Sequence, residues 1–223
     1  MRAVAQFFDC RDPEVRVDAI RTAAHSVASG ELVVLPTDTV YGIGADAFDA
    51  VAVADLLRAK DRGRDTPVPV LVGSWTTIEG LVPAVDGRTR DLIEAFWPGG
   101  LTLVVRHAPS LTWDLGDAAG TVAVRMPLHP VAIELLEVTG PMAVSSANRH
   151  GQPAAPTAAD AQDQLGESVA VYLEDGPVRE GVASTIVDVT AARPRVLRLG
   201  AISVDRLREV VPDLVGPAGS GDG

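Results

Sequence analysis

Cysteine is nearly absent from the chain, since Cys10 is the only one among 223 residues. A single cysteine cannot form an intrachain disulfide, which excludes the disulfide-rich class of secreted domains and fits a reducing cytoplasm. The four histidines are scattered and no cysteine cluster accompanies them, so the usual ligands of a zinc site are missing. We expect a cytoplasmic protein whose own side chains hold no metal ion.

Long apolar runs are missing as well. No run approaches the roughly 20 residues that a membrane-spanning helix needs. Near the N-terminus, Asp9, Arg11, Asp12 and Glu14 stand where a secretory signal has its apolar core. We therefore expect no association with a membrane.

Basic residues are scarce, because 19 Lys and Arg stand against 30 Asp and Glu, a formal net charge of −11 at pH 7. A protein that binds nucleic-acid phosphates over a wide surface clusters many basic residues there. Aromatic residues make up only 4%, and the three tryptophans are not interleaved with basic residues, so a base-stacking platform is weakly supported. Any polyanion must meet a local basic pocket.

Two common nucleotide-binding motifs are also missing. No Gly-x-x-x-x-Gly-Lys-Ser/Thr stretch is present, so a P-loop is not expected. Gly42-Ile43-Gly44 continues as Ala45-Asp46-Ala47, which lacks the third small-residue position of a dinucleotide fingerprint. We interpret Gly42-Ile43-Gly44 as a tight turn.

The chain does contain alternating helical and strand patterns. Helical spacing predicts helices over 15–29, 50–60, 74–82, 89–96, 130–138, 157–165 and 203–211. Apolar runs between turn residues predict strands over 31–35, 68–72, 101–106, 121–126, 142–145, 169–173, 183–188 and 195–199. The last two strands are too close for a helical crossover, so they must pair antiparallel or lie apart.

This pattern predicts an α/β (α+β) fold, with one domain built on a twisted, mixed parallel and antiparallel sheet that carries flanking helices. With 47% hydrophobic residues, the chain can bury the core of such a domain, which we place at residues 1–215. The Gly-rich tail 216–223 cannot bury apolar surface and is expected to be disordered.

The most informative stretch is Pro36-Thr37-Asp38-Thr39-Val40-Tyr41-Gly42, which directly follows an apolar run. A strand that stops at a proline and continues with hydroxyls, a carboxylate and a phenol is typical of a loop that bears a site. The same residues also fit a plain turn in which Asp38 caps its own backbone.

Further polar segments follow in order: Lys60-Asp61-Arg62, Phe96-Trp97-Pro98-Gly99, Val122-Ala123-Val124-Arg125-Met126-Pro127, Ser145-Ser146-Ala147-Asn148, Ser184-Thr185-Ile186-Val187-Asp188 and Leu197-Arg198-Leu199-Gly200. Together with the first stretch, they resemble the YrdC-like family of threonylcarbamoyl-AMP synthases. The resemblance spans about residues 16–202, and its core is the pairing of Lys-x-Arg with Ser-x-Asn. Some relatives carry a second domain behind a long linker, and this chain resembles the single-domain form.

The resemblance implies a nucleotidyltransferase that converts L-threonine, bicarbonate or CO2, and ATP to threonylcarbamoyl-AMP and pyrophosphate. That reaction is the first step of tRNA threonylcarbamoyladenosine modification, so a downstream complex that transfers the group to tRNA is an implied partner. The implied cofactor is Mg²⁺ bound through the ATP phosphates. No covalent enzyme intermediate is implied.

The resemblance also implies roles for individual residues. The implied catalytic tetrad is Lys60, Arg62, Ser146 and Asn148. The implied ATP ligands are Arg62, Thr66, Thr121, Ser146, Ala154 and Arg198, and the implied threonine ligands are Thr39, Arg125 and Val144. The family usually has Lys at Thr66, often a polar residue or His at Leu71, and often Ser at Ala154. The lysine missing at Thr66 removes one phosphate cation, for which we expect Arg64 to substitute.

The chemistry of these residues leaves alternatives open. Lys60 and Arg62 could hold phosphate oxygens, or they could be a solvated cap at the negative end of the preceding helix. Ser146 and Asn148 could bind a ligand, or they could form an Asn-centred turn. Arg125 could grip a carboxylate with its fork, or it could be a cation at a strand end.

Two further carboxylates are ambiguous in the same way. Asp38 and Asp188 could be helpers behind the site, or they could cap a turn and a strand end.

Two other functions compete with synthesis of the adenylate. A module that binds structured RNA without catalysis would need a basic face, which the acidic composition disfavours. A carbamoyl-transfer domain would need zinc-binding and acylphosphatase-like companion domains, for which 223 residues leave no room.

Overall fold

The structure is a computed structural model that describes residues 4–178 and 181–217. Its helices are α1 Pro13–Ala28, α2 Ala50–Ala59, α3 Ile78–Leu81, α4 Gly87–Phe96, α5 Pro130–Thr139, α6 Ala158–Leu165 and α7 Val204–Val210. Its strands are β1 Gln6–Asp9, β2 Val33–Leu35, β3 Gly42–Asp46, β4 Val70–Leu71, β5 Leu101–Arg106, β6 Thr121–Arg125, β7 Met142–Ser146, β8 Val171–Glu174, β9 Thr185–Asp188 and β10 Arg195–Arg198.

In the described part of the chain the ten strands form one sheet, in the order β1-β8-β2-β3-β7-β4-β6-β5-β9-β10. The pairs β1/β8, β2/β8, β4/β6 and β5/β9 are parallel, and the remaining pairs are antiparallel. The mixed sheet confirms the predicted fold class. β9 and β10 pair antiparallel, which is one of the two arrangements that their short connection allows.

The two faces of the sheet are covered unequally. Successive side chains of a strand point to opposite faces, so each strand contributes to both. On one face, apolar residues of α2, α3, α4, α6 and α7 pack on the sheet in one large core. On the other face, α1 and α5 pack on β2, β7 and β8, and this second core includes no residue of β5, β6, β9 or β10. That part of the second face is where the candidate site lies.

The expectation that Gly42-Ile43-Gly44 forms a tight turn is wrong, because these residues belong to β3 in the middle of the sheet. A β-carbon on Gly42 would lie 2.5 Å from Val144 Cγ1, and one on Gly44 would lie 2.7 Å from Met142 Cε. The two glycines leave room for the side chains of β7, a use of strand glycine that depends on a distant neighbour.

The other predicted helices and strands are present within a few residues of their expected bounds. At α6, the predicted start is confirmed, because Thr157 Oγ1 accepts a hydrogen bond from the backbone N of Asp160 at 3.1 Å. The helix expected over 74–82 is divided into a 3₁₀ turn, Trp75–Thr77, and α3. The edge strand β1 was not predicted. Residues 218–223 of the tail lie outside the described residues, so its disorder and the domain boundary at 215 stay predictions.

Candidate active site

A cavity of about 640 Å³ lies on the second face of the sheet, over the strands that α1 and α5 leave uncovered. Its floor is formed by alternate residues of three strands, namely Thr121, Ala123 and Arg125 of β6, Thr102 and Val104 of β5, and Ile186 of β9. Its walls come from the loops that follow β2, α2, β5 and β7 and from the segment of β10. This volume is in the range of pockets that bind small molecules.

Ten of the eleven residues predicted from the resemblance line this cavity: Thr39, Arg62, Thr66, Thr121, Arg125, Val144, Ser146, Asn148, Ala154 and Arg198. They come from segments scattered between residues 39 and 198, and the fold brings them together. The substituted position Leu71 also lines the cavity. Lys60 does not. The roles of all these residues stay predictions.

Lys60 lies behind the cavity wall, where it is only 2% exposed. Its Nζ donates to the backbone oxygen of Ser146 and, at 2.6 Å, to that of Asn148. Its own carbonyl accepts from the backbone N of His150 at 2.8 Å. Lys60 does follow the last turn of α2, as a helix cap would, but its side chain is buried and not solvated.

Asn148 combines the two interpretations that its sequence left open. Its Nδ2 donates to the backbone oxygens of Arg149 and Gln152, each at 2.8 Å, as an Asn-centred turn requires. Its Oδ1 is buried and has no hydrogen-bond partner among the described residues. A buried acceptor without a partner is costly, and a ligand that donates a hydrogen bond would satisfy it.

Arg62 and Arg198 bring two positive charges to the cavity, and among the described residues neither forms an ion pair with a carboxylate. Arg62 Nη1 donates to Ser145 Oγ at 3.1 Å, and Arg198 donates to the carbonyl oxygen of Ser184 through Nε and Nη2. Burial lowers the pKa of each guanidinium, and the charge of Arg62 further lowers the pKa of Arg198. Two mutually repelling cations that line the same cavity form a site that an anion would stabilise.

Arg125 is a third cation in the cavity lining and is almost completely buried. Its Nε donates to Gly99 O at 2.9 Å, its Nη1 to Thr39 Oγ1 at 2.7 Å and its Nη2 to Asp38 Oδ1 at 2.5 Å. Burial lowers the pKa of Arg125, and the Asp38 carboxylate opposes that shift. Because guanidinium has five N–H groups, one remains on each terminal nitrogen for a ligand such as a carboxylate.

Asp38 is a partner of Arg125 rather than a cap of its own turn. Its Oδ1 accepts from Arg125 and also from the backbone N of Leu128 at 2.9 Å. The turn is instead capped by Thr37, whose Oγ1 accepts from the backbone N of Thr39 and of Val40, each at 3.2 Å. The other ambiguous carboxylate, Asp188, accepts from the N and Oγ1 of Thr190, so it acts as a strand-end cap.

Arg64 does not substitute for the missing phosphate cation, contrary to the sequence-based expectation. It lies outside the cavity lining, and its guanidinium binds the Asp114 carboxylate through two hydrogen bonds of 3.0 and 2.6 Å. Asp117 lies 3.7 Å from its Nε. These contacts join the Arg64 loop (residues 61–69) to the Asp114 loop (residues 107–120), and both loops contribute cavity walls.

No role was predicted from the sequence for five polar residues that line the cavity: Thr37, Thr102, Ser145, Gln152 and Ser184. Ser145 and Ser184 contact Arg62 and Arg198, and Thr102 Oγ1 lies 2.8 Å from Ser184 Oγ. Three of them belong to the segments that carry the family resemblance, which is the signal that could have found them. Thr102 had no such signal, since only the strand alternation turns it toward the cavity.

Among the described residues, the cavity lining includes no Cys, His, Lys, Asp or Glu, so it offers cations, hydroxyls and amides but neither a carboxylate cage nor a side-chain general base. Elsewhere in the described ranges, no three His, Cys, Asp or Glu side chains lie close enough together to hold a metal ion.

Within residues 4–178 and 181–217, every helix is too short or too polar to cross a lipid bilayer.

Comparison with known proteins identifies relatives of this chain. Residues 25–200 match the Sua5/YciO/YrdC family, described as "Telomere recombination". A Mycobacterium leprae protein, provisionally named a threonylcarbamoyl-AMP synthase, is 64% identical over 206 residues, which cover 92% of this chain and 94% of the relative. The threonylcarbamoyl-AMP synthase of Pyrococcus abyssi is 35% identical over 196 residues, which cover 87% of this chain and 58% of the relative.

Solved structures agree with these matches. A crystal structure of P. abyssi Sua5 complexed with L-threonine superposes with a TM-score of 0.85 at 34% identity, and the match covers 88% of this chain and 58% of that one. Both the family match and the relatives span most of the chain, including every segment that lines the cavity up to Arg198. This chain therefore belongs to the Sua5/YciO/YrdC family.

Proposed function

We propose that this chain synthesises threonylcarbamoyl-AMP from L-threonine, bicarbonate or CO2, and ATP, with release of pyrophosphate. The observation that carries this proposal is one cavity with two kinds of cation, namely Arg62 and Arg198 without a carboxylate partner and Arg125 held beside threonine hydroxyls. The first two suit the phosphates of ATP, and the third suits an amino-acid carboxylate. The named activity of the relatives and the L-threonine complex of P. abyssi Sua5 support the same substrates.

The reaction needs two bonds to form at the substrates. The threonine nitrogen attacks the carbon of CO2, or of bicarbonate with loss of water, and gives up a proton to form a carbamate. A carbamate oxygen then attacks the α-phosphorus of ATP, and the bond from that phosphorus to the bridging oxygen breaks as pyrophosphate leaves. Because the described part of the lining has no side-chain base, catalysis would consist of positioning the reactants and stabilising the phosphate charges with Arg62 and Arg198.

Mg²⁺ fits this scheme as an ion that is bound with the nucleotide. A hard cation prefers oxygen ligands, and the described part of the lining supplies hydroxyls but no carboxylate. The phosphate oxygens and water would then provide most of its coordination, and the ion would neutralise the phosphate charges. The product would pass to a downstream complex that transfers the threonylcarbamoyl group to tRNA.

The test is to incubate the purified chain with labelled bicarbonate, L-threonine, ATP and Mg²⁺, and to look for labelled threonylcarbamoyl-AMP and for pyrophosphate. We expect both to depend on all three substrates. We expect Arg62→Ala to lower turnover by about 100-fold or more, the scale of losing a charge-assisted contact to the transition state. Arg21→Ala, on the exposed face of α1, is the matched control. Pyrophosphate release that ignores threonine and bicarbonate would contradict the proposal.

A further inference from the structure

Thr185 is the first residue of β9, lies outside the cavity lining and is completely buried. Its Oγ1 donates to the carbonyl oxygen of Ile202 at 2.7 Å and accepts from the backbone N of Gly200 and of Ile202, each at 2.9 Å. A hydroxyl has one proton and two lone pairs, so these three bonds fill it. The hydroxyl therefore holds the turn 200–202 and has no capacity left for a ligand.

The turn 200–202 also packs closely against the residues that precede β9. The backbone N of Ala201 donates to Ala183 O at 3.0 Å. A β-carbon on Gly200 would lie 2.1 Å from that same oxygen, so glycine is required there. Arg198 is the last residue of β10, two positions before Gly200, so its backbone is tied to the start of β9 through this turn.

The strand ladder alone does not place Arg198 on the cavity face. Neighbouring side chains of a regular strand point to opposite faces, yet Leu197 and Arg198 both line the cavity. The register of β10 against β9 shifts between Val196 and Arg198, which is a bulge at Leu197. A bulged strand leaves a residue unpaired, so the position of Arg198 depends on contacts beyond the ladder.

Those contacts come from two consecutive residues, Ser184 and Thr185. The carbonyl oxygen of Ser184 accepts from Arg198 Nε at 3.1 Å and from Nη2 at 2.8 Å, which orients the guanidinium. Thr185 holds the backbone that follows Arg198. The charge of Arg62 repels that of Arg198, so an Arg198 without these anchors would move away from Arg62. The anchors keep the two cations close enough for one polyanion to contact both.

We propose that Thr185 is a positioning residue for ATP, because by holding the turn 200–202 it keeps the Arg198 guanidinium in the cavity, where the nucleotide phosphates would bind. This inference rests on the proposed function. Since the hydroxyl of Thr185 is filled by backbone groups, it acts on ATP only through Arg198. Its loss should weaken the binding of ATP but not of threonine, and should have no effect once Arg198 is removed.

The first test is a double-mutant cycle on Thr185 and Arg198, measured by calorimetric titration with ATP and Mg²⁺ in the absence of threonine and bicarbonate. We expect Thr185→Val to raise Kd for ATP about tenfold and to change Kd for threonine less than about twofold. Thr185→Ser keeps the hydroxyl and should retain the wild-type affinity for ATP. In an Arg198→Ala background, Thr185→Val should change Kd for ATP less than about twofold. Gly87→Ala, at an exposed position with open space around it, is the control.

The second test needs no substitution. Coupling between a ligand and a conformation is reciprocal, so if the held turn promotes ATP binding, bound ATP must stabilise the turn. We expect saturating ATP and Mg²⁺ to slow hydrogen exchange of the Gly200 and Ile202 amides at least about threefold. The amide of Gly140, which donates to Leu136 O at the end of α5, should exchange as before. Unchanged exchange at Gly200 and Ile202, or equal slowing at Gly140, would overturn the inference.

Three results of the titration would also overturn it: additive losses in the double variant, a Thr185→Ser variant as weak as Thr185→Val, or a Thr185→Val variant that loses thermal stability with an unchanged Kd for ATP. If Thr185→Val does not fold, hydrogen exchange decides alone. A wild-type chain that binds ATP but releases no threonine-dependent pyrophosphate would contradict the proposed function, while the titration, which needs no reaction, would still decide the role of Thr185. A wild-type chain that does not bind ATP would overturn both.

Discussion

The buried guanidinium of Arg125 is held in one orientation by the protein. Three of its N–H groups are bound to Gly99, Thr39 and Asp38, and these contacts fix the plane of the guanidinium. A fixed fork with one free N–H on each terminal nitrogen matches the two oxygens of a carboxylate. Lysine carries the same charge but cannot reproduce this geometry.

Arg125→Lys should therefore impair the use of threonine more than the binding of ATP. Hydrogen bonds to charged groups contribute about 1.5–3 kcal/mol, so we expect kcat/KM for threonine to fall about 10- to 100-fold. Steady-state kinetics with each substrate varied in turn would measure this. A collapse of ATP affinity with an unchanged threonine dependence would place Arg125 in the nucleotide sub-site instead.

Lys60 is the only lysine of the chain, and it is buried. Burial, and to a smaller extent the nearby charge of Arg62, lowers its pKa to about 8. Between about pH 8 and the usual lysine value of 10.5, the unfolded chain binds a proton that the folded chain has lost. The free energy of unfolding should therefore receive a contribution from Lys60 that rises with pH across this window.

Lys60→Met removes the titrating amine, so we expect the free energy of unfolding of the variant to rise less than that of the wild type between pH 8 and 10.5. Urea denaturation at several pH values would compare the two slopes, and other titrating groups cancel in the difference. Because there is one lysine, ¹³C-labelled lysine would also give a single side-chain signal whose midpoint reports the pKa directly. Parallel stability curves, with a lysine midpoint near 10.5, would show that Lys60 is solvated.

At the scale of elements, two loops without regular structure build the cavity wall together. Besides the Arg64–Asp114 contact, the backbone N of Asp117 donates to Arg64 O at 3.0 Å, and that of Val68 donates to Leu115 O at 2.9 Å. Gly116 has φ +102°, and a β-carbon there would lie 2.8 Å from Arg64 O. A positive φ and this close approach both require glycine. The two loops thus form one unit, which presents Thr66, Leu115 and Ala118 to the cavity.

Reversing one charge should loosen this wall, and reversing both should restore it. We expect Arg64→Asp to raise KM for ATP several-fold with a smaller change in KM for threonine, and Arg64→Asp combined with Asp114→Arg to recover most of the loss. The double-mutant cycle measures the coupling between the two residues. If Arg64 contacted phosphate directly, the double variant would stay as impaired as Arg64→Asp.

At the scale of the whole molecule, the charge distribution favours an enzyme over an RNA-binding module. The net charge is −11, whereas the cations that matter lie inside one cavity. A negative protein repels a polyanion, so broad contact with RNA phosphates is unfavourable even though a nucleotide can enter the pocket.

We expect no shift of tRNA by the purified chain in a native gel at about 0.15 M salt, the physiological ionic strength, under conditions where ATP and threonine are consumed. Tight binding of tRNA by this chain alone, without synthesis of the adenylate, would favour the RNA-binding alternative. The same tRNA mixed with an unrelated tRNA-binding protein is the positive control for the gel.

The sequence by itself was sufficient for most of the helices and strands, though not for β1 and β3, and for the segments of the site. Apolar spacing depends on neighbours within a few residues, so α1, α2, β5 and β7 could be located from local pattern alone. The motif segments, from the stretch at residue 36 to Arg198, also pointed to one cavity before the fold was known.

Only the tertiary structure decided which partner each polar group has. Arg64 binds Asp114, and Lys60 donates hydrogen bonds to backbone oxygens behind the cavity wall. Gly42 is a strand residue, and it leaves room for the side chain of Val144 in β7. Each of these facts depends on residues that are tens of positions apart in the chain. Periodicity records which face a residue occupies, but hydrogen bonds and ion pairs act over a few ångströms, so they are set only when distant segments meet.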